Sequence, residues 1–117
     1  MNYIDFEVGN KVYKLRLTTR NIVALEKTIG RNPVSIFFDG GEERIPTITE
    51  MVAVLHASLQ QFNHGISMND AFDIFDCYIA DNSTMDFIKV IMEVYKVSGL
   101  IPKEKENTIE VDEAKNA

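Results

Sequence analysis

Apolar and charged side chains alternate at the start of the chain: Ile4, Phe6 and Val8 are apolar, while Asp5 and Glu7 are charged. That two-residue period predicts a half-buried strand. Gly9-Asn10 is a favoured two-residue hairpin turn, and a tight turn there opposes Val8 to Lys11, Phe6 to Tyr13, Asp5 to Lys14 and Ile4 to Leu15. In this register Ile4, Phe6, Tyr13, Leu15 and Leu17 share one face, and Asp5 meets Lys14 across the other. A slip of one residue would set apolar side chains against charged ones. An isolated hairpin is marginal in water, so its apolar face needs helices or another sheet to lie on.

The period then lengthens. From Thr18 to Gly30, Ile22, Leu25 and Ile29 form one helical stripe, with Thr18 or Thr19 as the N-terminal cap and Gly30 as the stop. The hairpin and the later helices are expected to rest on that stripe. Asn32-Pro33 reads as a cap followed by proline at the first helical position, opening one or two turns through Val34, Ile36, Phe37 and Phe38. Asp39-Gly40-Gly41 ends them, and Glu42 to Pro46 reads as a polar connection.

Thr47 and Glu50 form a capping box for a helix to about Phe62 that buries Ile48, Met51, Val52, Leu55, Leu59 and Phe62. Ser67 and Asp70 repeat the box for a helix to about Ala80. Its expected buried side is Met68, Ala71, Phe72, Phe75, Tyr78 and Ile79. Ser83 or Thr84 caps a last helix through Phe87, Ile88, Ile91, Met92 and Tyr95, stopped by Gly99. The expected fold is therefore α+β: an N-terminal β-hairpin packed on a small bundle of four to five helices. One domain spans residues 2–101, and residues 102–117 are expected to be a flexible, disordered charged tail with only Ile109 and Val111 as sizeable apolar groups.

Composition narrows the function classes. With 117 residues and 45% hydrophobic content, the chain suits one core. Its 18 acidic and 12 basic residues leave a net charge of −6, which repels a phosphate backbone, so nucleic acid is not an expected partner. The single Cys77 makes no internal disulfide, the N-terminus lacks a secretory pattern, and no apolar run is long enough for a membrane span. The expected location is the cytosol, away from membranes.

No catalytic constellation emerges. Cys77 falls mid-helix among aromatic residues, without the basic neighbours that activate a thiol, and is expected to be a buried structural group. His56 and His64 read as surface or cap residues. Asp70, Asp73 and Asp76 lie three apart on one helix, but the alternating ligands and glycine of a calcium loop are missing. Neither a metal nor a cofactor is expected. Such a negative face would favour a basic partner, which makes these three aspartates candidate partner-binding residues. Gly40-Gly41 lacks the Lys-Ser or Lys-Thr of a phosphate loop. Phe37 and Phe38 are adjacent, so one short helix does not easily bury both; they either finish the core or anchor a partner.

With these elements in place, the chain resembles the small tail assembly chaperones of long-tailed bacteriophages and prophages of Gram-positive hosts. The similarity lies in a strand pair ending in Leu15-Arg16-Leu17-Thr18, the phrase Ala24-Leu25-Glu26, then Gly30 and Asn32, and a helical second half. It covers most of residues 2–100. The resemblance implies a non-enzymatic role: several copies coat the aggregation-prone tape measure protein, keep it soluble and help recruit tail tube protein subunits. Such families often make a longer form by ribosomal frameshifting. Ala114-Lys115-Asn116 can be encoded as GCA-AAA-AAC, which contains a slippery run. The alternative from another class is a small acidic adaptor, or a homo-oligomeric structural protein extended through the hairpin edge, of a prophage or bacterial host.

Overall fold

Two antiparallel strands, β1 (Ile4–Val8) and β2 (Lys11–Leu15), open the computed structural model, which describes residues 2–103. Their register is the one the alternation predicts, from Ile4 opposite Leu15 to Val8 opposite Lys11. Gly9 makes the turn with φ of 59°, a left-handed conformation that glycine adopts without steric cost. Phe6, Val8, Leu15 and Leu17 are buried. Lys14 lies opposite Asp5, and its ammonium stands over the Tyr3 ring, 4.9 Å from the centroid.

Among the described residues four α-helices follow: α1 (Thr19–Ile29), α2 (Ile48–Leu59), α3 (Met68–Ile79) and α4 (Thr84–Ser98). Each opens with a reciprocal cap, formed by Thr18 with Asn21, Thr47 with Glu50, Ser67 with Asp70 and Ser83 with Asp86. Such a side chain satisfies an amide that the helix leaves without a partner, holding about 0.5–2 kcal/mol. Gly30 and Gly99 close α1 and α4 in the left-handed conformation. The architecture is α+β, a hairpin on a helical bundle.

The central element is α2, which corrects the expectation that the chain rests on α1. Helices α1, α3 and α4 and strand β2 all pack on α2, while β1 packs on α3 and α4. Nearly every α2 residue from Glu50 to Leu59 is buried. The sequence signal was the unbroken apolar run Met51 to Leu55, since a helix apolar all round belongs inside.

This arrangement moves several residues expected in the core to the surface. Ile48, Phe62, Phe72 and Ile79 are exposed. Helix α2 stops at Leu59, so Phe62 stands beyond it, edge-on to Tyr3 at 5.5 Å. Cys77 is also exposed, against the expectation of a buried thiol. It faces the hairpin turn, close enough that a Cβ on Gly9 would lie 3.6 Å from its sulfur.

Phe6 fills the junction of hairpin and bundle. Its ring centroid lies 4.9 Å from that of Tyr78 and 5.7 Å from that of Phe87, and Phe87 meets Phe75 edge-on at 5.1 Å. Arg16 closes the other end: its amide donates to the Ser58 carbonyl, and its Nη1 donates to the carbonyls of Asn2 and Val97. The tail expected over residues 102–117, and with it Lys115-Asn116, lies outside the described residues except for Pro102 and Lys103.

Candidate functional site

Asn32 accepts a hydrogen bond from the Val34 amide at 2.8 Å and starts the predicted short helix, a 3₁₀ segment over Pro33–Phe37. The segment stops at Phe38, whose extended backbone (φ −140°, ψ 146°) begins a second ribbon. Here β3 (Phe38–Asp39) pairs with β4 (Glu42–Glu43) around Gly40 and Gly41, both with positive φ. This small hairpin takes up Glu42 and Glu43 of the polar connection expected at Glu42 to Pro46, and Arg44 to Pro46 remain a connection without regular structure. Two glycines in sequence suit a hairpin turn that needs left-handed residues at both central positions.

The change from helix to strand separates the aromatic pair. Phe37 turns inward and meets Tyr95 edge-on, with ring centroids 6.1 Å apart. Phe38 turns outward and keeps 47% of its surface exposed. Phe37 therefore packs against the core, and Phe38 stands at the surface.

Between this segment and α4 lies a groove of about 510 Å³. Its apolar lining comes from Val34, Phe37 and Phe38 on one side, Ile88 and Met92 on the other, and Ile101 at the end. Ile88, Met92 and Tyr95 recur at helical spacing, which puts them on one face of α4. Tyr95, fully buried, donates from its hydroxyl to the Pro33 carbonyl at 2.9 Å and so pins the 3₁₀ segment to α4. Burial raises the pKa of its phenol well above the ordinary tyrosine value, with the nearby Glu50 charge adding to the effect.

Arg44 holds the small hairpin in place. Its amide donates to the Phe37 carbonyl, and its Nη1 donates to the Ile36 carbonyl at 2.9 Å and to Glu50 Oε1 at 3.1 Å. Glu50 also accepts from the Thr47 amide at 2.8 Å, and Arg31 Nη1 lies 3.7 Å from its second oxygen. Burial works against ionisation of Glu50, but the Thr47 amide and Arg44 outweigh it and hold the carboxyl below the usual glutamate range. One carboxylate thus serves as the α2 cap and as the anchor of the groove wall. The sequence reading found the cap and missed Arg44, whose guanidinium reaches Glu50 only once the chain has turned back through the glycines.

The three candidate aspartates do not join this groove. Asp70 is engaged as the α3 cap, accepting from the Ser67 amide at 3.1 Å. Asp73 lines a separate depression of about 490 Å³ with Cys77 and the β1–β2 turn, and Asp76 is exposed on the same helix. His56 lines a third, small cavity against α1 and is not beside Cys77. Among the described residues no group of three or more His, Cys, Asp or Glu is placed to hold a metal ion. No helix of the described residues is long and apolar enough to cross a membrane.

Comparison with known proteins finds a family model described as "Family of unknown function (DUF6096)", which matches residues 4–116. No curated protein and no solved structure matches the chain.

Proposed function

We propose that this chain, which belongs to that family of unknown function, is a non-enzymatic assembly chaperone of a long-tailed phage or prophage that binds the tape measure protein and keeps it soluble. The observation that carries the reading is the apolar groove with Phe38 exposed at its lip, on a protein of net charge −6. A groove of this size accepts the apolar face of a client helix, and an exposed aromatic next to a pocket is the usual anchor of such contacts. The surrounding negative charge keeps a coated client dispersed. Asp70, Asp73 and Asp76 act apart from the groove, steering a basic client segment toward α3 and shaping association rate more than affinity. The same coat leaves client surface open to tail tube protein, and it operates in the bacterial cytoplasm.

Co-expression with the tape measure protein of the same genome tests this. The chain is expected to move the client from the insoluble to the soluble fraction, in complexes holding several copies per client. Phe38→Asp, at an exposed position, is expected to abolish that effect while leaving the fold intact. A client equally insoluble with and without the chain removes the chaperone reading. A complex with a single copy and one defined partner replaces it with an acidic adaptor.

A further inference from the structure

Helices α1 and α3 carry opposite charges on the faces they turn to solvent. On α1, Arg20, Val23 and Lys27 recur at spacings of three and four residues and share one face, and all three are exposed. Leu25 is buried on the other side, where Ile22 and Ile29 pack on the core. Glu26, the acid of this helix, lies to one side of the basic face. On α3, Phe72, Asp76 and Ile79 share the exposed face with Asp73 beside them, while Ala71, Phe75 and Tyr78 are buried. No lysine or arginine occurs between Arg44 and Lys89, so α3 has no base of its own. Among the described residues Arg20, Lys27, Asp73 and Asp76 form no ion pair, and Lys11, which shares a depression with Asp73, forms none with it.

Both helices pack on α2 rather than on each other, so their outer faces look in different directions and do not meet within one molecule. Apolar side chains grouped on an exposed face and rimmed by charge mark a contact surface, and each face has them: Val23 on the basic one, Phe72 and Ile79 on the acidic one. We infer that the outer face of α1 in one copy docks on the outer face of α3 in the next, with Val23 against Phe72 and Ile79 and with Arg20 and Lys27 against Asp73 and Asp76. The helices match in length at 11 and 12 residues, about 16 and 18 Å. Because the contact joins two different faces, a docked pair keeps one free face of each kind and takes up further copies head to tail. One pair of short helices is a small interface, and exposed ion pairs contribute little apiece, so the association is weak. A neighbour's α1 then competes with a basic client segment for α3.

Sedimentation equilibrium of the full chain, with no client present, tests the contact independently of the chaperone reading. At a salt concentration of about 0.15 M the screening length of about 8 Å keeps contact pairs and damps the overall repulsion between copies of net charge −6. The weight-average mass is expected to rise with protein concentration past that of a dimer. Asp73→Lys/Asp76→Lys is expected to weaken the association about a hundredfold, although it makes the chain less negative, because like charges then meet across the contact. Arg20→Glu/Lys27→Glu is expected to do the same. An equal mixture of the two variants is expected to associate again, since each then offers the charge the other lacks, and far-ultraviolet circular dichroism checks that both are folded. A native chain that stays monomeric up to about 1 mM, or whose mass stops at the dimer, overturns the inference. Association that survives either reversal overturns it too, as do two folded variants that fail to associate when mixed.

Discussion

The hydroxyl of Tyr95, near the end of α4, donates to the carbonyl of Pro33, sixty-two positions earlier, at 2.9 Å. This bond joins the last helix to the turn after α1 and forms the back of the apolar groove. Tyr95→Phe keeps the ring and leaves the Pro33 carbonyl without that donor. The expected loss is about 1–3 kcal/mol, the range for a buried polar group left unpaired. Urea unfolding checks it: the midpoint falls and the slope stays unchanged.

Glu50 makes stability depend on pH. Its carboxyl ionises more readily in the folded protein than in the unfolded chain, so its contribution is complete above the ordinary value of 4.5 and disappears as pH falls through the lower folded value. Glu50→Gln is expected to be less stable than the native protein near neutral pH, because Arg44 loses a charged partner. The gap between the two is expected to close as pH drops below 4.5, measured by denaturant midpoints across the acid range.

Phe6→Ala is expected to cost about 3–5 kcal/mol, the range for removing a large aromatic ring from a core. The void opens where Tyr78 and Phe87 meet the hairpin. Val12→Thr, at a position 57% exposed on the neighbouring strand, is expected to change stability by less than about 0.5 kcal/mol. Thermal unfolding of both variants provides the comparison.

Cys77 is expected to react with a thiol reagent in the folded protein, one label per chain, with no loss of helical circular dichroism. Labelling that requires denaturant would return the thiol to the interior.

The native gene, expressed with its downstream DNA and an N-terminal tag, is expected to yield a second, longer product. Its sequence departs from this one near Lys115, and intact mass of the tagged species reads it out. A single 117-residue product removes the frameshift.

What the sequence determined by itself was local. The β1–β2 register followed from a two-residue alternation and one turn, because a slip moves every side chain to the wrong face. Thr47 and Ser67 marked helix starts, because a capping box needs only a hydroxyl and a carboxylate three residues apart, while the choice between Ser83 and Thr84 fell to Ser83 in the structure. Tertiary structure decided which apolar face was covered. Phe72 and Ile79 belong to an apolar pattern on α3 as good as that of Phe75 and Tyr78, but α2 and the hairpin cover only one side of that helix. Phe37 and Phe38 are equivalent in composition and opposite in fate, since the chain changes from 3₁₀ to strand between them. Arg44 became part of the groove wall through Glu50 and two main-chain bonds to Ile36 and Phe37. Periodicity shows that a face is apolar; packing allots a limited covering surface among several such faces, and the groove is among those left open here.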